Sequence, residues 1–494
     1  MKRIGFDSQK YIHLQSTRIR ERIDSFGGKL YLEFGGKLFD DYHASRMLPG
    51  FAPDNKIRML LELKDQAEIV IAINANDIEK NKVRGDLGIT YDLDVIRLVD
   101  VFRDFGLYVG AIAITQYTGQ PAADHFKQRL EAMGLRVYRL NRIPDYPGNV
   151  ARIVSDEGFG RNDYIETSRS LVVVTAPGPG SGKMATCLSQ LYHEHRRGVK
   201  AGYAKFETFP IWNLPLKHPV NLAYEAATAD LNDVNMIDPF HLEAYGIMTV
   251  NYNRDIEIFP VLRAIFEKIY GECPYKSPTD MGVNMAGKSI VDDEVCREAS
   301  CQEIIRRYFR TACAVKQGNA GENELNKLEL LMRTLNLDMN RRAVVAPALA
   351  EAARTGEPAV AIELNDGRII TGKTSSLLGA SSAGLLNSLK TLAGIPDAIK
   401  LISPTVIEPI NHLKVEHMGN RNPRLHTDET LIALAVSAAT DPNAERAMDE
   451  LSNLSGCEAH STVILSQVDE GMFGKLGVNI TCEPAYETKR LYHK

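Results

Sequence analysis

A glycine-rich turn between an apolar run and a helix is the part of this chain best suited to chemistry. The apolar run 171–174 leads into the turn 175–182, and a helical pattern starts at Lys183. This order of strand, loop and helix is typical of a phosphate-binding P-loop. Backbone N–H groups at a helix start attract anions, and a neighbouring lysine adds positive charge. The residues that we expect to bind phosphate are Gly178, Gly180, Ser181, Gly182 and Lys183.

Two departures from the full Walker pattern argue against ATP hydrolysis. Pro177 stands where that pattern has its first glycine, and Met184 replaces the hydroxyl residue that holds magnesium. Thr186 is rotated by roughly 200° around the helix from Met184, so it is a poor replacement. The competing interpretation is structural, because a turn from strand to helix needs glycines for its backbone angles alone.

A Lys/Glu pair follows at the end of the next predicted strand, 200–206. Lys205 and Glu207 are two residues apart, so their side chains point the same way. Ligands of open parallel sheets lie at the carboxyl ends of the strands, which predicts that this pair lies near Lys183. We expect Lys205 and Glu207 to be catalytic, by moving protons or holding a substrate. A solvated ion pair is the alternative.

Composition excludes several classes of function. The net charge of −5 gives no basic surface for nucleic acid, and no apolar run is long enough to cross a bilayer. The seven scattered cysteines fit buried thiols in a reducing compartment. We therefore expect a cytoplasmic protein without nucleic-acid or membrane partners. The sequence identifies no metal site and no cofactor, and it is compatible with a homo-oligomer without requiring one.

The 494 residues predict about three domains. Residues 1–230 alternate strand and helix patterns, which predicts an α/β domain with a parallel sheet. Residues 231–355 are predicted to be mainly helical, and their Pro- and Gly-rich loop 274–288 either closes over a ligand or only joins two elements. Residues 356–494 are predicted to form an α+β domain. The first domain also repeats Phe-Gly-Gly-Lys-Leu at 26–30 and 34–38. The repeat indicates either glycines that only form turns, which is the favoured interpretation, or two short strands around Gly-Gly turns with Lys29 and Lys37 on one edge.

The C-terminal region resembles the opening of the cytidine-deaminase-like fold, with a hairpin at 359–371 followed by a helix at 381–392. Such deaminases bind zinc through His or Cys on that helix and through a later Pro-Cys-x-x-Cys. Neither set of ligands is present, so the resemblance concerns the scaffold alone. His417 and His426 lie in the densest histidine and carboxylate cluster, which is either a metal site or a loop with a helix cap.

Four stretches of the chain, 34–46, 176–191, 205–215 and 422–429, resemble a single family. It is the bacterial domain-of-unknown-function family eighteen-forty-six, and the resemblance extends over essentially the whole chain. The resemblance implies an α/β N-terminal region, a small helical region and an α+β or deaminase-like C-terminal region in a bacterial cytoplasm. It implies no particular reaction.

These observations favour binding of a phosphate-bearing or nucleotide-like small molecule at the turn, with or without enzymatic turnover. One alternative is a ligand-sensing or scaffold protein without catalysis. A further alternative is a metal-dependent hydrolase that uses the histidines near His417 and His426.

Overall fold

The computed structural model describes residues 3–487 except positions 37, 40, 86 and 232. It divides into two compact units, Ile4–Ser300 and Cys301–Lys494, the second also including the first three residues. The three-domain division with boundaries at 230 and 355 stays a prediction.

The first unit alternates strands and helices along most of its length. Its strands are β1 (Leu30–Phe34), β2 (Ala67–Asn74), β3 (Val83–Arg84), β4 (Ile89–Thr90), β5 (Tyr108–Tyr117), β6 (Val137–Asn141), β7 (Leu171–Thr175), β8 (Gly202–Phe206), β9 (Asn235–Ile237), β10 (Val250–Tyr252) and β11 (Gly282–Val283). Its helices are α1 (Ser8–Ser25), α2 (Tyr42–Met47), α3 (Asn55–Glu62), α4 (Ala75–Glu79), α5 (Tyr91–Asp104), α6 (Pro121–Ala132), α7 (Val150–Ile153), α8 (Lys183–Arg196), α9 (Pro219–Ala227), α10 (Pro239–Tyr245), α11 (Asn253–Tyr270) and α12 (Pro278–Met281).

In the described part of the chain, seven strands form one parallel sheet in the order β11-β8-β1-β7-β2-β5-β6. This confirms the predicted α/β fold. The chain leaves β2 towards its neighbour β5, whereas it leaves β7 in the opposite direction and crosses β1 to reach β8. Adjacent strands whose connections diverge leave a crevice at their carboxyl ends, and such crevices are where open α/β sheets bind ligands. The glycine-rich turn follows β7 and therefore lies at this crevice.

Strand β7 is the centre of the sheet because its side chains suit burial on both faces. All five of its residues are buried, as an uninterrupted run of Val and Leu in a parallel strand requires. Helix α8 buries Cys187, Leu188 and Leu191 completely. The turn between β7 and α8 is therefore fixed at both ends by core packing.

The second unit contains a smaller mixed sheet. Its helices are α13 (Asp293–Gln317, which continues from the first unit), α14 (Glu322–Thr334), α15 (Val345–Thr355), α16 (Ala380–Leu392), α17 (Pro404–His412), α18 (Thr427–Ala438), α19 (Pro442–Asp449) and α20 (Gln467–Lys475). Its strands are β12 (Ala359–Glu363), β13 (Ile369–Lys373), β14 (Glu458–Ser461) and β15 (Asn479–Cys482). The order is β13-β12-β14-β15, with β12 antiparallel to both neighbours and β14 parallel to β15. The predicted hairpin and the helix after it are both present.

Two stretches differ from the structure that their sequence pattern indicates. Among the described residues of the repeated Phe-Gly-Gly-Lys-Leu motif there is one strand, β1, which lies between the two glycine pairs, so the hypothesis of two strands is wrong. The predicted loop 274–288 contains the short helix α12 and the edge strand β11. A two-residue strand that pairs only with β8 has too little apolar periodicity to be recognised from sequence.

Within the described residues, the longest helices all carry too many charged side chains to be candidates for crossing a membrane.

Candidate functional site

The glycine-rich turn begins α8 without a side-chain cap. Gly180 and Gly182 have φ of +75° and +84°, in the left-handed region that glycine adopts without strain. No described residue accepts a hydrogen bond from the backbone N–H groups of Gly180 to Lys183, and Gly182 caps the helix with no side-chain bond. These N–H groups are the unsatisfied donors that give a helix start its affinity for anions.

Side chains from neighbouring strands hold the turn from behind. The Thr115 hydroxyl donates to the Ser181 carbonyl at 2.8 Å, and the Asn74 amide donates to the Gly180 carbonyl at 3.2 Å. The Ser181 hydroxyl donates to the Gly178 carbonyl at 2.9 Å, so of the Ser181 donors only the backbone N–H has no acceptor in the described chain. The carbonyls are thus bound from within the protein.

Two of the glycines are also required by close packing. A Cβ at position 178 would lie 2.4 Å from the Tyr91 hydroxyl, and a Cβ at position 182 would lie 2.9 Å from the Thr115 hydroxyl. Gly180 has open space around it. The turn therefore needs glycine for packing at two positions and only for its φ angle at the third.

A cavity of about 600 Å³ lies against one side of the turn. Residues from the end of β1, the β3–β4 hairpin, α5 and the turn itself line it. The cationic lining residues are Arg84, Arg97 and Lys183, and none of the described lining residues is acidic. Phe34, Phe39 and Leu98 add apolar surface. A pocket with an apolar wall and a few converging cations suits a small molecule that carries phosphate.

A buried carboxylate fixes the two arginines. Asp94 is fully buried on α5 and accepts from the Arg84 guanidinium at 2.9 Å and from the Arg97 guanidinium at 2.7 Å. Both guanidinium groups are thereby held beside the cavity. Lys183 adds a charge with no ion-pair or hydrogen-bond partner among the described residues. An anion would supply the counter-charge of Lys183.

The helix position that supplies the magnesium-binding hydroxyl in a Walker motif has no available hydroxyl here. Met184 has no hydroxyl, and the Thr186 hydroxyl donates to the Gly182 carbonyl at 2.9 Å. Thr186 is also fully buried. Its oxygen therefore has a role inside the helix.

Lys205 and Glu207 form a three-membered ion cluster with Asp255 from the first turn of α11. The Lys205 ammonium lies 3.0 Å from Glu207 and also contacts Asp255. Burial lowers the Lys205 pKa, but the three carboxylates of Asp255, Glu207 and Glu33 outweigh it and raise the pKa overall. Burial raises the pKa of Glu207 to about 7, although Lys205 opposes the rise. A carboxyl with a pKa near neutrality is equipped to exchange protons.

The Lys205–Glu207 pair and the turn share a sheet edge but do not share the cavity. Strand β8 lies two places from β7, with β1 between them. The described lining of the cavity includes Lys183 and neither Lys205 nor Glu207. The catalytic role of the pair stays a prediction.

Sequence reasoning missed the arginines of the cavity and the third member of the ion cluster. Asp94 and Arg97 are three residues apart in α5, a spacing that indicates an ion pair, but Arg84 comes from a two-residue strand. Asp255 lies 50 residues from Lys205, a separation that no local pattern spans. Of the two lysines in the glycine repeat, Lys29 pairs with the buried Glu194, and Lys37 lies outside the described residues.

The described histidines of the C-terminal unit do not gather into a metal site. His426 pairs with Asp469 at 2.9 Å, and the rings of His412 and His417 lie 5.7 Å apart. Across the described ranges, no three His, Cys, Asp or Glu side chains are grouped as metal binding requires. The metal-dependent hydrolase alternative gains no support from these residues.

Comparison with known proteins gives matches along the full length of the chain. The model described as "Domain of unknown function DUF1846, N-terminal" matches residues 4–336, and its C-terminal counterpart matches residues 340–492. A UPF0371 protein of Streptococcus thermophilus is 59% identical over 494 residues, which is 100% of both chains. One from Corynebacterium diphtheriae is 61% identical over 492 residues, or 99% of each chain. One from Streptococcus pneumoniae is 58% identical over 494 residues, again 100% of both.

Proposed function

The chain belongs to the DUF1846 family, and we propose that it binds a phosphate-bearing or nucleotide-like small molecule at the turn Gly178–Lys183. The observation that carries this proposal is the cavity of about 600 Å³ against the turn, lined by three cations and, among its described residues, by no acid. Of the residues 180–183 with uncapped N–H groups, Lys183 lines this cavity, and Gly180, Ser181 and Gly182 precede it in the same turn. The turn follows β7 where the connections of β2 and β7 diverge, and this position supports the same conclusion.

In this proposal the turn and the cations have separate tasks. The N–H groups of Gly180 to Lys183 bind the phosphate oxygens, and Lys183 neutralises their charge. Arg84 and Arg97, held by Asp94, bind a second anionic group or the polar end of the molecule. The apolar wall with Phe34 and Phe39 accommodates the rest of the ligand.

Turnover is an extension of the proposal, and Lys205 with Glu207 are its candidates. The support is the pKa of Glu207, raised by burial to about 7, together with the position of both residues on the ligand-binding edge of the sheet. If a reaction occurs, the Glu207 carboxyl exchanges a proton with the substrate, and Lys205 holds the Glu207 carboxyl in place.

The alternative of a ligand-sensing or scaffold protein without catalysis rests on a different observation. Met184 and the internally bonded Thr186 hydroxyl leave the turn without the usual magnesium-binding oxygen, which argues against hydrolysis of Mg-ATP. Ligand that is bound and then recovered unchanged after long incubation would favour this alternative.

Calorimetric titration of the full chain with inorganic phosphate, pyrophosphate, a sugar phosphate, AMP and ATP tests the proposal. Lys183→Ala should weaken binding of the best ligand about 10- to 100-fold, because it removes a charge-assisted hydrogen bond. Lys268→Ala is the matched control, since Lys268 is an exposed lysine of the same unit on α11. Absence of binding by every compound, or equal affinity of Lys183→Ala and the wild type, would refute the proposal.

Two further expectations, about the scaffold of the C-terminal unit and about the cellular location, remain proposals as well. The strand order and directions of the small sheet, with β12 antiparallel to both neighbours, support a deaminase-like scaffold in the C-terminal unit. None of the seven cysteines is in a disulfide, which supports a reducing cytoplasmic location. The proposal includes no nucleic-acid or membrane partner, and sedimentation of the purified chain would test for a homo-oligomer.

A further inference from the structure

The C-terminal unit contains a second cavity, of about 630 Å³, at the starts of three helices. Gly379 and Ser381 line it from the start of α16, His426 lines it from the start of α18, and Ser466 and Asp469 line it from the start of α20. Each helix has at least nine residues, so each start carries partial positive charge. The three helix starts therefore place partial positive charge at the cavity, where Asp469 and Glu487 are the acidic lining residues.

The start of α16 supplies donors without acceptors. No side chain caps this helix, and no described residue accepts from the backbone N–H groups of Ala380, Ser381 or Ser382. Ser381 is 4% exposed, and its hydroxyl has no hydrogen-bond partner. A buried hydroxyl without a partner is costly unless a ligand or an ordered water satisfies it.

The starts of α18 and α20 are satisfied internally, and they hold one imidazole in place. Nδ1 of His426 bonds to Asp469 at 2.9 Å, and Asp469 also accepts from the Thr427 N–H and the Ser466 hydroxyl, both at 2.8 Å. The bond to Asp469 raises the pKa of His426, although burial opposes the rise. With Nδ1 bound in this way, Nε2 is the ring nitrogen left for a ligand.

Two arginines contribute to the same wall. Arg421 and Arg424 line the cavity, and Arg424 pairs with Glu487. The carboxylate of Asp469 is occupied by His426, Thr427 and Ser466, so it does not compete for the donors of α16. The unsatisfied groups here are donors, and donors need an acceptor.

We infer that this cavity binds a small molecule through an oxyanion, a phosphate or a carboxylate group, seated at the start of α16. The N–H groups of Ser381 and Ser382 and the Ser381 hydroxyl donate to the anion, and protonated His426 donates from Nε2. This site is independent of the one at Lys183, since all of its lining residues belong to the other unit.

Calorimetry on full-length protein carrying Lys183→Ala tests the inference with the first site weakened. Sulfate, phosphate and acetate are the probes, because comparing them separates a tetrahedral anion from a carboxylate. Adding Ser381→Ala should weaken the best probe about tenfold. Ser388→Ala is the matched control, because Ser388 is a buried serine of the same helix with an unpartnered hydroxyl and does not line the cavity.

The outcomes of this experiment separate the two sites. Equal affinity of the Ser381→Ala and Ser388→Ala proteins, or no binding of any probe, would overturn the inference. If the Lys183→Ala background itself makes no difference while Ser381→Ala does, the proposed function fails and this inference stands.

A second measurement uses the wild-type chain and so does not depend on a variant that folds. Diethyl pyrocarbonate acylates the free ring nitrogen of a neutral imidazole, and peptide mass spectrometry locates each modified histidine. Saturating sulfate should slow modification of His426 at least threefold and leave His195, an exposed residue of α8, unchanged. Equal rates at His426 with and without sulfate would contradict the inference.

Discussion

The starts of α8 and α16 both carry backbone N–H groups without acceptors among the described residues, but the charged side chains beside them differ. Both helices begin without a side-chain cap, and both face a cavity of similar size, about 600 and 630 Å³. At α8 the cations are a lysine and two arginines. At α16 the nearest titratable donor is His426, whose charge depends on pH. We therefore expect the anion affinity of the first site to change little with pH, and the anion affinity of the second site to fall as pH rises.

The largest effect that bears on this comparison is expected from Asp94→Asn. The substitution removes the buried negative charge that accepts from both Arg84 and Arg97. We expect a loss of about 3 kcal/mol in unfolding free energy, because two ion pairs to a buried carboxylate are broken at once. Urea unfolding measures it.

Added pyrophosphate provides the control for Asp94→Asn. If the cavity binds anions, pyrophosphate should restore more stability to the variant than to the wild type, since the ligand supplies the lost negative charge. Equal stabilisation of both proteins would indicate that Arg84 and Arg97 do not face the ligand.

The sequence predicts the turn before α8 better than it predicts the cavity at α16, and the reason is physical. Strand β7, its turn and α8 are contiguous, so an apolar run, glycines and a lysine reveal them together. The second site joins Ser381, His426 and Asp469, which are dozens of residues apart and carry no motif. The deaminase-like pattern indicated the right helix, but zinc ligands were the only chemistry that pattern suggested. Tertiary folding alone brings a serine and a His–Asp pair to one cavity.

A second prediction concerns Glu207, which shares a sheet edge with the first site. Its pKa is about 7 in the folded protein against an ordinary value of 4.5, because burial disfavours the charged form. The folded state therefore holds the proton more tightly, and stability falls as pH rises from about 4.5 to 7. Glu207→Gln removes this loss, so the variant should gain about 2 kcal/mol on the wild type between pH 5 and pH 8.

Thermal unfolding of both proteins at the two pH values measures the difference for Glu207→Gln. Lys268→Ala provides a baseline for an exposed charge in the same unit. A pH-independent difference would mean that Glu207 stays ionised throughout, which would remove the basis for its role in proton exchange.

The glycines of the turn provide a matched pair for the third prediction. Gly182→Ala adds a Cβ at 2.9 Å from the Thr115 hydroxyl in a residue with φ of +84°, whereas Gly180→Ala adds one in open space at φ of +75°. We expect losses of about 2 kcal/mol and about 1 kcal/mol respectively, since both pay backbone strain and only the first displaces a neighbour. Equal losses of unfolding free energy, measured with urea, would show that the Thr115 side chain moves aside without an energetic penalty.

The smallest expected effect is the pH dependence of sulfate binding. It distinguishes the two sites most directly, because the experiment changes only the proton concentration. Sulfate keeps its charge between pH 5 and pH 9, so any pH dependence of its binding comes from the protein. The charged groups that act on His426 or line its cavity are Asp469, Lys414, Glu429, Arg421, Arg424 and Glu487. Because Asp469 raises the pKa of His426, the imidazole stays protonated to a higher pH than a free histidine, and sulfate affinity should fall as pH rises through that pKa.

We expect a decrease of about fivefold between pH 6 and pH 9 for the Lys183→Ala protein. The neutral imidazole keeps its proton on Nδ1, which donates to Asp469, so Nε2 loses both its donor hydrogen and its charge. In a Ser381→Ala protein with Lys183 intact, the remaining site depends on Lys183, Arg84 and Arg97, so its sulfate affinity should change less than twofold. A steep pH dependence in that protein would place a titrating group at the turn and remove the distinction between permanent and titratable charge. A flat profile in the Lys183→Ala protein would exclude His426 as a charged donor while leaving the donors of α16 in place.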